Sequence, residues 1–109
     1  MARQDALQGS LPLLLLTLLA RRGPLHGYAL ATQIETMSDE ALRVEEGSMY
    51  PALHRLEEAG WIKARWSITG TGRRARVYEI TAPGRRQLEV EEARWKGIAA
   101  AVGKILKLA

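Results

Sequence analysis

The chain has 109 residues, 47% of them hydrophobic and 26% charged, which excludes a mainly disordered chain and allows one small domain. It contains no cysteine, so neither a disulfide framework nor a thiolate zinc site is available. The net charge of +4 is unevenly placed: residues 1–60 hold five basic and eight acidic side chains, residues 61–109 hold eleven and four. A basic half of this kind points to a polyanionic partner, against the plainer reading of a solvated surface. A core this small also gains from dimerisation.

Residues 1–9 are polar and are expected to be flexible, fraying into a helix around Ala6 and Leu7 at most. Ser10 is suited to cap a helix over residues 11–22, with Pro12 in its first turn. The ten residues from Leu11 to Ala20 are almost continuously apolar. That is too short to span a bilayer. No small-residue cleavage site follows; Arg21-Arg22-Gly23-Pro24 comes next, which argues against a signal peptide. Apolarity on all sides predicts burial on more than one side, against its own domain and against a second subunit through Leu14 and Leu18.

His26-Gly27 starts a second helix over residues 27–37, with Leu30, Ile34 and Met37, and also Tyr28 and Ala31, as its core stripe. Ser38-Asp39-Glu40 breaks it, and Leu42 and Val44 anchor the polar connection that follows. A third helix runs from Ser48, a good N-cap, to a stop at Gly60, with Pro51 in its first turn. Met49, Ala52, Leu53, Leu56 and Ala59 form its apolar back. Tyr50, Pro51, His54, Arg55 and Glu58 form its front. A short helix with an apolar back and a basic, aromatic front suits a major groove, although an amphipathic helix with a solvated face has the same pattern.

Beyond Gly60 the period changes. Ile62, Ala64, Trp66 and Ile68 alternate with Lys63, Arg65 and Ser67, and Arg76, Tyr78 and Ile80 alternate with Ala75, Val77 and Glu79. Thr69-Gly70-Thr71-Gly72 between them is a turn cluster. The result is a β-hairpin with Arg73, Arg74 and Arg76 at or near its tip. Gly70-Thr71-Gly72 does not read as a phosphate-cradling loop, because no helix and no Gly-Lys-Ser/Thr follow. Thr81 then caps a last helix over residues 82–107, with Pro83 in its first turn, which spans ~38 Å. Leu88, Trp95 and Val102 fall seven apart, with Ile98 and Ile105 at the complementary positions and Glu91 as a polar interruption. This heptad seam asks for a partner helix, from a second copy or from the apolar helix at 11–22.

The order of elements gives an α+β fold, mainly α: a winged helix-turn-helix of three helices and a two-stranded β-wing at 10–81, then a long C-terminal dimerisation helix at 82–109. The chain resembles the PadR family of bacterial transcriptional regulators in its short form, with a single C-terminal helix. The blocks that carry the resemblance are Gly23-Pro24-Leu25-His26-Gly27-Tyr28; Gly47-Ser48-Met49-Tyr50-Pro51-Ala52-Leu53-His54-Arg55-Leu56-Glu57; Gly60-Trp61-Ile62; and Arg76-Val77-Tyr78-Glu79-Ile80-Thr81 with Gly84-Arg85. The resemblance covers about residues 8–107. It implies a homodimer on a pseudo-palindromic operator of double-stranded DNA, usually a repressor, released by small aromatic molecules such as phenolic acids or drug-like compounds; the absence of cysteine fits a cytoplasmic protein. Longer members carry an extended C-terminal dimerisation domain. In a chain ending at Ala109, dimerisation falls to the first and last helices.

Ser48, Tyr50 and Pro51, at the start of the third helix, are expected to meet phosphates or base edges. Arg55 is the candidate for a guanine contact, unless it is held by Glu57 or Glu58, and His54 lies beside it. Arg73, Arg74 and Arg76, with Lys63 and Arg65 flanking, are expected on phosphates or in the adjacent minor groove. Trp95, on the seam, is a candidate for sandwiching a flat aromatic effector with its symmetry mate, as a tryptophan on the corresponding helix does in a drug-responsive family relative; packing of the dimer interface is the simpler role. Trp61 and Trp66 read as hairpin and core residues. No enzyme is expected: two histidines and no cysteine leave no nucleophile–base pair. Glu45-Glu46, Glu57-Glu58 and Glu91-Glu92 are sequence neighbours that diverge by about 100° on a helix. No catalytic residue, cofactor, metal or membrane association is expected. The rival reading is a winged helix that binds protein or RNA instead; a protein-only module has no need of three wing arginines.

Overall fold

The computed structural model describes residues 2–108, with side chains from Gly9 onward. Helix α1 (Ala2–Arg22) leads into a short strand β1 (Leu25–His26), then helices α2 (Gly27–Met37) and α3 (Glu46–Glu58). Strands β2 (Ile62–Ile68) and β3 (Arg74–Ile80) form the hairpin, and α4 (Ala82–Leu108) closes the chain. The sheet order is β1-β3-β2, antiparallel throughout. β1 was not legible in the sequence: it pairs only Leu25 with Tyr78 and His26 with Val77, and two residues carry no period.

Helix α1 holds the core together. Leu11, Leu15, Leu16 and Leu19 are at most 2% exposed, and Leu18 is buried with them. Around them lie Leu30 and Ile34 of α2, Met49, Ala52, Leu53 and Leu56 of α3, and Ile62, Tyr78 and Ile80 of the sheet, with Val44 from the connection. Each fully buried leucine stabilises the fold by about 2 kcal/mol. Val44 and Leu42 anchor the α2–α3 connection to this core as expected.

Several local expectations are corrected. Ser10 does not cap α1, which begins at Ala2 and carries Pro12 inside it. Ala2, Arg3, Gln4, Ala6, Leu7 and Gln8 ahead of Ser10 are strong helix formers and outweigh Asp5 and Gly9. Met1 lies outside the described residues. Ser48 does not cap α3 either. Glu45, extended at φ −86° and ψ 155°, takes that place without a side-chain capping bond. Glu46 in the first turn complements the helix dipole and favours the earlier start. Pro51 therefore sits inside α3, on its exposed side.

In α2, Leu30 and Ile34 are buried, but Tyr28 is 80% exposed and Met37 58%. Tyr28 lies about 160° around the helix from Leu30, on the solvent side. Met37, at the last turn, extends past the core, where its sulfur accepts a hydrogen bond from Arg22. Ala59, likewise beyond the end of α3, is exposed. Trp66 is exposed rather than a core residue.

The hairpin has the expected alternation, and its register sets Ile62 opposite Ile80 and Ile68 opposite Arg74. Its inner row runs Ile62, Ala64, Trp66, Ile68 against Ile80, Tyr78, Arg76, Arg74. Only the first part of this row reaches the core. Gly60 stops the chain after α3 with φ +80°, the left-handed turn that glycine adopts without steric cost.

The junction between the hairpin and α4 is tightly tied. Thr81 Oγ1 donates to the Gly60 carbonyl at 2.6 Å and accepts from the Gly84 amide at 3.1 Å. The Thr81 amide donates to the Trp61 carbonyl at 3.0 Å. Thr81 thus caps α4 as expected, and pulls Gly84 against the end of β2. A Cβ on Gly84 would overlap the Trp61 carbonyl oxygen and lie 2.8 Å from Ile80 Cγ1.

Two outcomes follow from this packing. Gly84→Ala is expected to cost about 3 kcal/mol, seen as a fall in melting temperature of on the order of 10 °C or more, whereas Gly70→Ala, with open space around it, is expected to change stability by less than about 0.5 kcal/mol. Tyr78 is buried, and burial raises its phenol above the ordinary value of 10.0; the Arg76 guanidinium opposes the rise, and the Glu57 carboxylate and Tyr50 add to it. A raised value means that the folded state holds the proton more tightly. The stability this contributes is complete below pH 10 and is lost as the pH climbs through the higher folded value. Melting followed above pH 10 is expected to show a steeper decline in the wild type than in Tyr78→Phe.

Candidate nucleic-acid interface

Helix α3 is divided as its sequence requires. Met49, Ala52, Leu53 and Leu56 enter the core, while Tyr50, Pro51, His54, Arg55 and Glu58 face solvent. Ser48 sits in the first turn, half-buried. The Tyr50 ring lies against the start of α2, so that a Cβ on Gly27 would come 3.2 Å from its Cε1. This contact brings the start of α2 and the front of α3 to one surface. Tyr28, expected in the core, stands exposed on it.

The hairpin closes the other side. A groove of about 560 Å³ is lined by His26, Gly27 and Tyr28, by Tyr50, His54 and Glu57, and by Trp66 and residues 74–76 and 78 of the sheet. Its edge is cationic and aromatic. The Arg74 guanidinium lies over the Trp66 ring, 4.8 Å from the centroid, and that of Arg76 lies 5.8 Å from the Tyr78 centroid. Such stacking holds a guanidinium in place without neutralising it.

The two carboxylates at the end of α3 lie beside basic groups. Glu57 Oε2 accepts from Arg76 Nη2 at 2.9 Å, and Glu58 Oε1 lies 3.6 Å from His54 Nε2, one turn away on the helix. Arg55, for which Glu57 or Glu58 was an alternative partner, has no ion-pair partner among the described residues and is exposed. Glu57 was missed as a site residue; it lies between the buried and exposed faces of α3, where helical period gives no signal.

The structure brings Tyr50, His54, Arg74 and Arg76 to one groove and leaves Arg55 exposed on α3 outside the lining of that groove. Arg73 lies in the turn, where its amide donates to Thr69 Oγ1 at 3.1 Å and its carbonyl accepts from the Thr69 amide at 2.8 Å. Lys63 and Arg65 are not brought to this groove. They pair with Glu79 and Val77 and so project from the opposite face of the hairpin.

A second surface lies between α1 and α4. Gly9, Ser10 and Leu13 face Glu91, Arg94, Trp95 and Ile98 across a groove of about 340 Å³. Glu91 is buried there, accepting from Gln87 Nε2 at 2.8 Å and from Arg94. Leu14 and Leu88 are half-buried against the chain's own core, and Leu18 belongs to that core. Trp95, Ile98, Val102 and Ile105 are 48–66% exposed and carry the apolar seam of α4 out into solvent. Among the described residues no three His, Asp or Glu side chains are grouped to hold a metal ion, and no helix is long and apolar enough to cross a membrane.

Comparison with known proteins places this arrangement. Residues 15–90 match the model of the "Transcriptional regulator PadR-like family". A PadR family transcriptional regulator from Eggerthella lenta DSM 2243 has the same fold at a TM-score of 0.79 and 31% identity, over 97% of this chain and 89% of that one. Bacillus subtilis PadR, solved in complex with operator DNA, matches at a TM-score of 0.64 and 29% identity over 72% of this chain and 43% of its own. In sequence, the negative transcriptional regulator PadR of Bacillus subtilis (strain 168) is 29% identical over 70 residues, 64% of this chain and 38% of that protein. The chain therefore spans less than half of the Bacillus protein and nearly all of the Eggerthella one. With its four helices, its small three-stranded antiparallel sheet and this match over most of its length, the chain belongs to the PadR-like family of transcriptional regulators, and is not an enzyme.

Proposed function

We propose that this chain is a bacterial, cytoplasmic DNA-binding regulator. It acts as a homodimeric repressor on a pseudo-palindromic operator, and a small aromatic effector releases it. The observation that carries this reading is the shared surface of α3 and the hairpin, where Tyr50, His54, Arg74 and Arg76 line one groove and the unpaired Arg55 stands exposed farther round α3. Likeness to a PadR solved with operator DNA, and to a negative transcriptional regulator, supports it.

In this reading residues 10–81 form the DNA-binding unit and residues 82–109 the dimerisation helix. Ser48, Tyr50 and Pro51 meet the backbone or base edges at the start of α3. Arg55 donates to a guanine and His54 to a neighbouring base or phosphate. Arg73 and Arg74 take phosphates or the adjacent minor groove. Lys63 and Arg65, on the far face of the hairpin, act through longer-range attraction only. The second copy covers Trp95, Ile98, Val102 and Ile105, whose exposure on one helix is unusual for an isolated monomer. Leu14 and Leu88, half-buried, complete that interface, and Leu18 supports it from beneath. The two Trp95 side chains then flank the effector, beside the groove at Glu91.

The test is binding of the purified protein to a labelled duplex from its own upstream region, against scrambled duplex in excess. Saturable binding by two subunits per site, resistant to competitor, is expected. With ~6–10 phosphates neutralised, affinity should fall ~10³–10⁵-fold from 50 to 200 mM salt. Arg55→Ala should cost about 1–3 kcal/mol and relax the preference at one base pair of each half-site. A flat salt response, or equal competition by scrambled duplex or by RNA, favours the protein- or RNA-binding alternative. For the effector, quenching of tryptophan fluorescence by planar aromatics should disappear in Trp95→Ala while that variant remains dimeric; unchanged quenching removes Trp95 from the site.

A further inference from the structure

We infer that Glu57 and Arg76 form a strap that sets the angle of the hairpin against α3, and that Arg76 is a positioning residue rather than a phosphate ligand. The strap itself is a property of the free protein; its consequence for affinity rests on the DNA-binding reading above.

The hairpin needs such a tie because little else holds its outer part. β1 pairs with β3 only at Tyr78 and Val77. Beyond them toward the turn, β2 and β3 have only each other. The inner row steps outward from Tyr78, which is in the core, to Arg76 and then Arg74, at about 6.8 Å per step. Trp66 and Ile68, opposite Arg76 and Arg74, are 59% and 65% exposed, so no apolar layer lies beneath them. Two-stranded ribbons are the most free of sheets to twist and swing.

Arg76 is the point at which this ribbon is fastened. Its Nη2 lies 2.9 Å from Glu57 Oε2, and among the described residues this is the hydrogen-bonded link between the hairpin and α3. Its guanidinium stands over Tyr78, and the Glu57 side chain is only 23% exposed, against 42% for Arg76. A partly buried carboxylate left without its partner would carry an unfavourable charge, so Arg76 cannot leave for a phosphate without cost. Arg74, stacked on Trp66 and bound to no carboxylate among the described residues, is free to make the contact that Arg76 is not. The strap therefore aims Arg73 and Arg74 while α3 fixes the register.

Removing Glu57's charge separates the two roles, because they predict opposite signs. A phosphate-binding Arg76 would be released by Glu57→Gln, and loss of a negative charge at the interface would tighten binding. A strap would be cut by it, and binding would weaken. Glu57→Gln and Arg76→Gln are each expected to weaken operator binding on the order of fivefold. The double variant should be no worse than either, and the reversed pair Glu57→Arg with Arg76→Glu should regain most of the loss. The salt slope should stay within one ion of wild type throughout. In the free protein, residual dipolar couplings of the amides of residues 66–76 and of α3 should fit one alignment in wild type and the reversed pair, but require two in Glu57→Gln. Tighter binding by Glu57→Gln, or a salt slope reduced by about two per dimer in Arg76→Gln, overturns the inference. So does a single alignment retained in Glu57→Gln. If the wild type binds no duplex, the DNA-binding reading fails, and the couplings still decide the strap.

Discussion

Burial of the leucine row of α1, from Leu11 to Leu19, is the constraint from which the rest of the fold follows. The helix packs against α2, α3, β3 and α4, so these elements are placed relative to one another by a shared rod of leucines rather than by many separate contacts. With Leu15 and Leu16 at 0% exposure, the rod leaves no room for sliding, because tightly packed interiors lose about as much from a gap as from an overlap. Helix α3 is thereby held with its apolar back inward and its polar front outward, and α4 leaves the domain from a fixed point. The Thr81–Gly60 bond and the close approach of Gly84 to Trp61 fix that point.

The two candidate surfaces differ in what holds them. On the α3 side the geometry depends on polar contacts at the margin of the core: a ring over a helix start, a guanidinium on an indole and an ion pair at 23–42% exposure. Such contacts are directional but individually weak, which suits a surface that must accept a charged partner without being frozen. On the α4 side the determinants are apolar and lie beyond the domain's own reach. The molecule measures 55 × 29 × 21 Å, and its long dimension includes a 27-residue helix of about 40 Å. Helix α1 covers part of that helix; Val102, Ile105 and Leu108 have no such cover.

Much of this was legible in the sequence wherever a period ran long enough to be read. The buried helix, the apolar back of α3, both hairpin strands, the Thr81 cap and the long last helix all repeat a signal over several residues. What escaped was decided by one or two residues at a time. β1 has no period. Ser10 and Ser48 are good caps in isolation, but the helices start earlier, running through Gly9 and Gly47 against their local preference. Tyr28 looked like a core aromatic by composition, yet its phase on α2 is opposite to Leu30. Within the site, residue type and location identified the basic and aromatic candidates, but not their partners. That Glu58 lies beside His54 is an i,i+4 contact that helical spacing does encode, but that Glu57 is held by Arg76, and so is not available to Arg55, depends on the angle between a helix and a ribbon, which no local pattern encodes. Strand alternation did contain the separation of Lys63 and Arg65 from Arg74 and Arg76, since the register puts them on opposite faces.

The connection between α2 and α3 has a further consequence. Asp39 and Glu40 occupy the left-handed region in succession, at φ 53° and 66°. The turn around them is closed by the Glu40 amide on the Glu35 carbonyl, the Ala41 amide on the Ser38 carbonyl and the Leu42 amide on Ser38 Oγ. Side chains with a Cβ give up about 1 kcal/mol or more in that region, so the turn keeps its shape at a standing energetic loss. Both side chains are exposed and neither lines the groove between α3 and the hairpin. This chain thus holds in reserve a margin of thermostability at a corner where asparagine or glycine can be exchanged in without altering either candidate surface. A protein engineer seeking a hardier version of this scaffold would begin at that corner.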